Sequence, residues 1–519
     1  MRTWLFVLAL VAGAVLRLLL LDLRPMHTDE AVHAVKFGTL LETGEYRYDK
    51  SEYHGPTLYY ATLPAAEVSS CRRFAGLQES TLRVVPAVAG IVLILLIALL
   101  RDIGGASVTL GALFTAVSPA LVFFSRYYVQ EMLLVVFTLG FIAAGYHMLA
   151  TRRALWAAAA GVCAGLMHAT KETSLIAFGA TGLAIALTGF WCRGRMDPFP
   201  GVRGRDLFTF ALTACAVSVS LYSSFGTHWP GVRDSVLAYG TYFTRAGARA
   251  GHEQPWYYYL ELLGWWKRGS GPVWTEAVVV ALGVMGIAGS LRRSEETHSR
   301  RRLRVFLAFY AALMWIVYSA IPYKTPWSIL GAYHGLIIMA GVGTSQVLDR
   351  VRRGRLHWPA VAVAAAVVAF LGWESYRASF VMFDDPANPY VYAHPGRDVK
   401  TIAEEVTRLA SASGVGDSLA VQVVTPGDDY WPLPWYLRSL SRVGWWSALP
   451  DDFTPTPVIL ASPEVEDHLL RAVYGRRPPG EGALYILLFS GPMYLRPGRE
   501  IRGYVRLDLL ERARREKLQ

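Results

Sequence analysis

The chain has 519 residues, 53% of them hydrophobic, with 51 Lys and Arg against 40 Asp and Glu for a formal net charge of +11. A mean hydropathy of +0.30 is too apolar for a soluble protein of this length. The apolar residues are clumped in windows of about 18–20 residues, the length of helices that satisfy their own backbone in lipid. The positive charge does not argue for nucleic acid, because the basic residues sit in short loops between those windows.

In chain order the predicted spans lie near 4–21, 83–100, 107–124, 131–150, 154–170, 174–191, 207–225, 273–291, 303–321, 327–347 and 358–376, about eleven in all. Leu16 to Leu21 runs into Asp22 with no small-residue cleavage site after it, so the first span is expected to stay as an anchor. With the N-terminus inside, Arg101-Asp102, Arg152-Arg153, Arg193 to Arg205, Arg292 to Arg304 and Arg350 to Arg355 form arginine-rich cytoplasmic loops. Of four cysteines, Cys71 alone falls on the outer side, which leaves no outer intrachain disulfide, and no zinc-ligand spacing is present.

After the last span the pattern changes. A turn-rich stretch near 380 precedes a helical period over Val399 to Leu409, and short apolar runs follow at Leu419–Val424, Val458–Ala461 and Leu484–Phe489. The last dozen residues, "DLLERARREKLQ", read as a solvated helix. The expected fold is an all-α polytopic membrane domain over 1–379, with its first outer loop at 22–82, followed by an extracytoplasmic α/β domain over 380–519. An odd number of spans puts that domain and the first outer loop on the same side.

The outer ends of the spans collect the chemistry. "HTDEAVH" and "YHGP" supply Asp29, Glu30, His33, Tyr53 and His54; "SRYYVQE" supplies Arg126 and Glu131; "HATKET" supplies His168, Lys171 and Glu172. The loop over 225–271 adds His228, Arg245, Arg249, His252 and Glu253, and "IPYKTPW" adds Tyr323 and Lys324. Cations can hold a phosphate at the headgroup level, and a carboxylate can take a proton from an attacking hydroxyl. Each feature also has a plainer reading. The acid pair could be helix-start charge, Arg126 and Glu131 an ion pair between helix ends, Lys171 a snorkelling side chain, and "HGP" a turn. No metal is assigned, although His27, Asp29, Glu30 and His33 could hold a divalent ion. The convergence on one side outweighs any single motif.

These motifs resemble the GT-C integral-membrane glycosyltransferases of the protein mannosyltransferase and aminoarabinose transferase type, nearest to the archaeal "flippase-activity-associated" branch. "HTDEAVH" matches the first-loop acid motif, "SRYYVQEM" the Arg-to-acid motif, "TKET" the lysine turn, and "WPLPWYLR" (431–438) a run of that branch. His54-Gly55 stands where relatives carry Lys-Pro, and Glu131 where many carry Asp. The resemblance implies an inverting transferase that moves a sugar from a polyprenyl-phosphate donor to a glycan, lipid or protein acceptor. On the same resemblance, Asp29 is the base and Glu30 orients the acceptor or Asp29. Arg126, Lys171 and Lys324 meet the lipid phosphate, within a substrate-binding set that also includes His54, Glu131, Glu172 and Tyr323. A lipid-linked-sugar flippase or its helper, and a non-catalytic subunit on the same fold, are the alternatives. Transporters gather charge near mid-bilayer between related repeats, whereas here the charge sits at span ends on one side and no repeat is visible.

Overall fold

A computed structural model describes residues 3–51, 54–193, 202–246, 251–292, 298–475 and 483–516. The helices run in order α1 (Thr3–Leu18), α2 (Thr28–Thr43), α3 (Thr57–Val68), α4 (Glu79–Leu96), α5 (Gly105–Val117), α6 (Pro119–Ser125), α7 (Glu131–Thr151), α8 (Ala154–His168), α9 (Ser174–Cys192) and α10 (Gly204–Tyr222). They continue with α11 (Pro230–Ala246), α12 (Tyr258–Gly264), α13 (Ala277–Leu291), α14 (His298–Ala320), α15 (Leu330–Val351), α16 (His357–Tyr376), α17 (Asp398–Ala412), α18 (Leu433–Tyr436), α19 (Glu466–Tyr474) and α20 (Leu507–Glu516).

Two compact units form. The first comprises 1–21, 44–65 and 80–392, and the second 22–43, 66–79 and 393–519. The first unit is the membrane domain. Every expected span falls on a helix, but among the described residues length and apolarity mark six spans, or seven when the bent pair α5–α6 counts as one. The other four are the shorter apolar helices α1, α8 and α13 and α15, which is buried along most of its length. A helix sheltered by its neighbours need not be apolar on every face. α13 and α15 pack backbone to backbone: a Cβ on Gly286 would lie 2.0 Å from the Met339 carbonyl oxygen, and one on Gly343 would lie 2.1 Å from that of Leu282.

The α5–α6 span breaks by 57° at Ser118-Pro119. Proline cannot continue the α5 hydrogen-bond ladder, yet it suits the first turn of a new helix. Glu276, fully buried at the start of α13, closes the break. One carboxylate oxygen accepts the Ala120 N–H at 3.0 Å and the Tyr390 hydroxyl at 2.7 Å. The other accepts the hydroxyls of Ser118 and Tyr333, both at 2.7 Å.

The second unit is built on a mixed sheet. Strands β1 (Val421–Val424), β2 (Val443–Trp446), β3 (Val458–Ala461), β4 (Tyr485–Leu487), β5 (Met493–Arg496) and β6 (Arg499–Arg506) take the order β2-β1-β3-β6-β4, with β5 also on β6. β2, β1 and β3 are parallel; β6 runs antiparallel to β3, β4 and β5. α17 buries Val399, Ile402, Val406 and Leu409 on one stripe, and these join Val421, Val423, Val458 and Leu460 in the core. The three apolar runs expected as strands are β1, β3 and β4, and the expected helices are α17 and α20. β2, β5 and β6 were not expected. In β6 arginine interrupts the apolar residues, and the strand is ordered by pairing between β3 and β4. The boundary falls after Tyr392, and the unit takes in two segments of the stretch between the first two expected spans, 22–43 and 66–79.

Candidate active site

In the membrane unit four of the expected residues come together at two turns. Glu131 is the first residue of α7, and its carboxylate is ion-paired with the Lys171 ammonium, both side chains being largely buried. Lys171 lies in the tight connection between α8 and α9. Beside it, Glu172 faces His54, whose Nδ1 is 2.9 Å from Oε2.

The His54-Gly55-Pro56 turn is fitted to that connection by its backbone. The Gly55 N–H donates to the Thr170 carbonyl at 3.0 Å and the Thr57 N–H to the Ala169 carbonyl at 3.1 Å, while the Thr57 hydroxyl adds a bond to Ala169 at 2.7 Å. A Cβ on residue 55 would sit 2.0 Å from the Ala169 oxygen, so only glycine fits there. His54 itself is left-handed, with φ +54°.

Burial alone would raise the Glu172 carboxyl. The charge and hydrogen bond of His54, the residue's own backbone N–H and the charge of Lys171 outweigh it and hold the pKa down at about 2. Tyr48 hydrogen-bonds the same carboxylate, and burial together with that charge pushes its hydroxyl well up. Its ring meets Tyr222 edge-on at 4.8 Å. A narrow crevice of about 30 Å³ runs from Glu131 and Lys171 past Thr173, Tyr318 and Trp327. This cluster pairs each buried charge with an opposite partner, as a low-dielectric setting requires.

Two of the expected phosphate contacts are engaged elsewhere. The Arg126 guanidinium donates to the carbonyls of Leu16, Arg17, Leu19 and Leu20 at 3.2, 3.3, 2.6 and 2.8 Å and lies 4.4 Å over the Phe380 ring. The end of α1 leaves carbonyls with no helical partner, and a buried arginine satisfies several at once. Lys324 is buried, and its ammonium donates to the carbonyls of Gln254, at 3.1 Å, and Ile321. Tyr323 is part-exposed and packs its ring on His252 at 5.3 Å. Tyr53, Arg249 and the Arg245 side chain lie outside the described residues.

In the second unit the acid pair stands in the first turn of α2, and its two members have opposite environments. The Asp29 side chain is 45% exposed. Glu30 is fully buried, 3.5 Å from the Arg24 guanidinium, and reaches back to accept the His27 backbone N–H at 3.1 Å, which caps the helix start. His27 accepts the Asp29 N–H on Nδ1 at 3.0 Å, and its ring packs on His394 at 4.8 Å.

The run "WPLPWYLR" fixes the loop that bears this pair. The Met26 N–H donates to the Tyr436 hydroxyl at 2.8 Å, Trp435 Nε1 donates to Glu79 at 3.2 Å, and Arg438 stacks over Trp435 and bonds the Leu77 carbonyl. Among the described residues no group of three His, Cys, Asp or Glu side chains is arranged to hold a metal. Glu276, Tyr48 and Trp327 were not singled out from sequence. Glu276 had a signal, an acid at the mouth of an apolar window, which in a membrane helix demands a partner.

The likeness to solved structures gives the chain a GT-C-type fold. Among solved structures the chain is similar to ArnT from Cupriavidus metallidurans bound to undecaprenyl phosphate, with a TM-score of 0.62 and 16% identity over 97% of this chain and 98% of that one. The apo form of the same protein gives 0.63 and 16%, over 96% and 98%. The arabinofuranosyltransferase AftD from Mycobacteria gives 0.48 and 14%, over 97% of this chain and 40% of that one. No family model and no curated protein matches the sequence.

Proposed function

We propose that the protein is a membrane glycosyltransferase that moves a sugar from a polyprenyl-phosphate donor to an acceptor on the extracytoplasmic face. The observation that carries the reading is the likeness to ArnT over nearly the full length of both chains, in a structure where ArnT holds undecaprenyl phosphate. The acid pair supports it. Asp29 is open to solvent at the start of α2, where an acceptor hydroxyl can reach it, and buried Glu30 holds the Arg24–His27 turn that presents Asp29.

In this reading Asp29 removes the acceptor's proton as the hydroxyl attacks the anomeric carbon from the side opposite the lipid phosphate, which inverts that centre. Lys171 stabilises charge on the departing phosphate, because a cation in a water-poor site acts strongly there. It can do so once the phosphate replaces Glu131 as its partner, and Glu131 stabilises the ammonium until then. Arg126 and Lys324 hold the helix and loop ends around this region in place of contacting substrate. His54 acts through Glu172 to keep the 168–172 turn in register.

The test is a membrane assay with radiolabelled polyprenyl-phosphate sugars. Transfer of label from lipid to a water-soluble or protein fraction, dependent on Asp29, is the expected result. Movement of the intact lipid-linked sugar between leaflets without cleavage would overturn the reading in favour of a flippase.

A further inference from the structure

The sheet of the second unit carries a feature that the transfer reaction does not use. The chain leaves β1 toward the face occupied by α18, whose Leu433 joins the core with Val421 and Val423. It leaves β3 toward the opposite face, where Leu469 of α19 packs with Val424 and Ala461. Two adjacent parallel strands whose connections depart to opposite faces open a crevice at their carboxyl ends, the usual place for a ligand in an α/β sheet.

Thr425 and Ser462 stand at that place. Each is the residue directly after its strand, and the register that pairs Val424 with Ala461 sets the two side by side. The ladder reaches them: the Ser462 N–H donates to the Val424 carbonyl and the Thr425 N–H to that of Trp446, both at 3.0 Å. Side chains alternate along a strand, so both hydroxyls fall on the face of Val423 and Leu460. Thr425 is 2% exposed and Ser462 9%. Neither hydroxyl has a hydrogen-bond partner among the described residues. One orphan hydroxyl is a local accident, whereas two adjacent ones at a switch point form a pattern, because desolvated polar groups without partners destabilise a fold.

The surroundings define the ligand. A hydroxyl both donates and accepts, which suits other hydroxyl groups. Tyr430 and Trp445 lie on the same face with ring centroids 4.9 Å apart. Asp429, held by Arg496 and Arg499, adds a carboxylate beside the loop. The arginines beside this end of the sheet are engaged, Arg496 and Arg499 by Asp429 and Arg502 by Glu466, which occupies the cations that an anion would need. We infer that the carboxyl edge of β1 and β3 is a binding site for an uncharged sugar residue, with Thr425 and Ser462 as its hydrogen-bonding floor and Tyr430 and Trp445 as its apolar wall.

The inference does not depend on the transferase reading, and its test uses no lipid donor. Full-length protein in lipid nanodiscs is titrated with methyl glycosides and mannotriose, followed by saturation-transfer NMR and calorimetry, with inorganic phosphate as the anionic control. Saccharide binding is expected. Thr425→Val and Ser462→Ala should each weaken it about fivefold or more, and the double variant should abolish it. The same variants should melt at or above the parent temperature, since each removes an unsatisfied group. The inference fails if no saccharide binds at tens of millimolar, or if the double variant binds like the parent. It also fails if phosphate is the ligand instead.

Discussion

Glu276 offers a direct measure of how the membrane unit holds its broken span. Each of its two carboxylate oxygens accepts two hydrogen bonds. Glu276→Gln keeps the shape but replaces one oxygen with an amide group that can only donate. Two of the four donors then lose their acceptor and face another donor, at about 1–3 kcal/mol each for a buried group. The expected loss is therefore about 2–6 kcal/mol. Tyr333→Phe and Tyr390→Phe each remove a donor without stranding one, and should cost about 0.5–1.5 kcal/mol. Unfolding by SDS titration in mixed micelles would rank the variants. Turnover should fall with stability in the glutamine variant, because α6 leads from Ser118 to the turn that carries Arg126 and Glu131. A glutamine variant within about 1 kcal/mol of the parent, or one no worse than the phenylalanine variants, would refute the view that this carboxylate clamps the broken span.

Further outcomes follow from the two acid clusters. Asp29→Asn should lower turnover by about 10²–10⁴-fold at unchanged melting temperature, since its side chain is half exposed; full activity would move the base elsewhere. Lys171→Ala should raise the donor KM about tenfold or more and lower stability by about 3–5 kcal/mol, because Glu131 is left buried without its partner. Adding Glu131→Ala should recover much of the stability and none of the donor affinity, as melting curves beside donor titrations would show. The Glu172 carboxyl drops from a reference of 4.5 to about 2 on folding. Its contribution is thus present above about pH 4.5 and is lost as pH falls toward 2. His54→Ala removes the chief cause of that depression, so the variant should melt lower than the parent near pH 6 and lose less of its melting temperature between pH 4.5 and pH 3. For orientation, a cysteine placed over 49–51 or near Asp417 should react with an impermeant thiol reagent in intact cells, and one placed over 293–299 should not; the reverse pattern would invert the assigned topology.

Clumped hydropathy, arginine-rich loops and the acid, lysine and histidine motifs were enough to read a polytopic membrane domain, a C-terminal α/β domain and the residues that cluster at the two turns. These are local signals. Lipid rejects unsatisfied backbone over a fixed length, and a parallel strand such as Val458–Ala461, buried on both faces, must be apolar throughout. What the charged side chains do with their neighbours was not legible, because a sequence records no partner. Arg126 reads in sequence as a cation for a phosphate, and the fold lays its guanidinium against the end of α1; Lys324 likewise meets the carbonyls of Gln254 and Ile321. Asp29 and Glu30 are neighbours in sequence, yet the first turn of α2 puts one in solvent and the other against Arg24. Glu276 gains meaning only when Ser118, Ala120, Tyr333 and Tyr390, far apart in the chain, bring four donors to its two oxygens. Local composition sets where the chain enters lipid or forms a strand. The partner of a buried charge is chosen by long-range packing, since such a charge takes whichever opposite or hydrogen-bonding group the fold brings near.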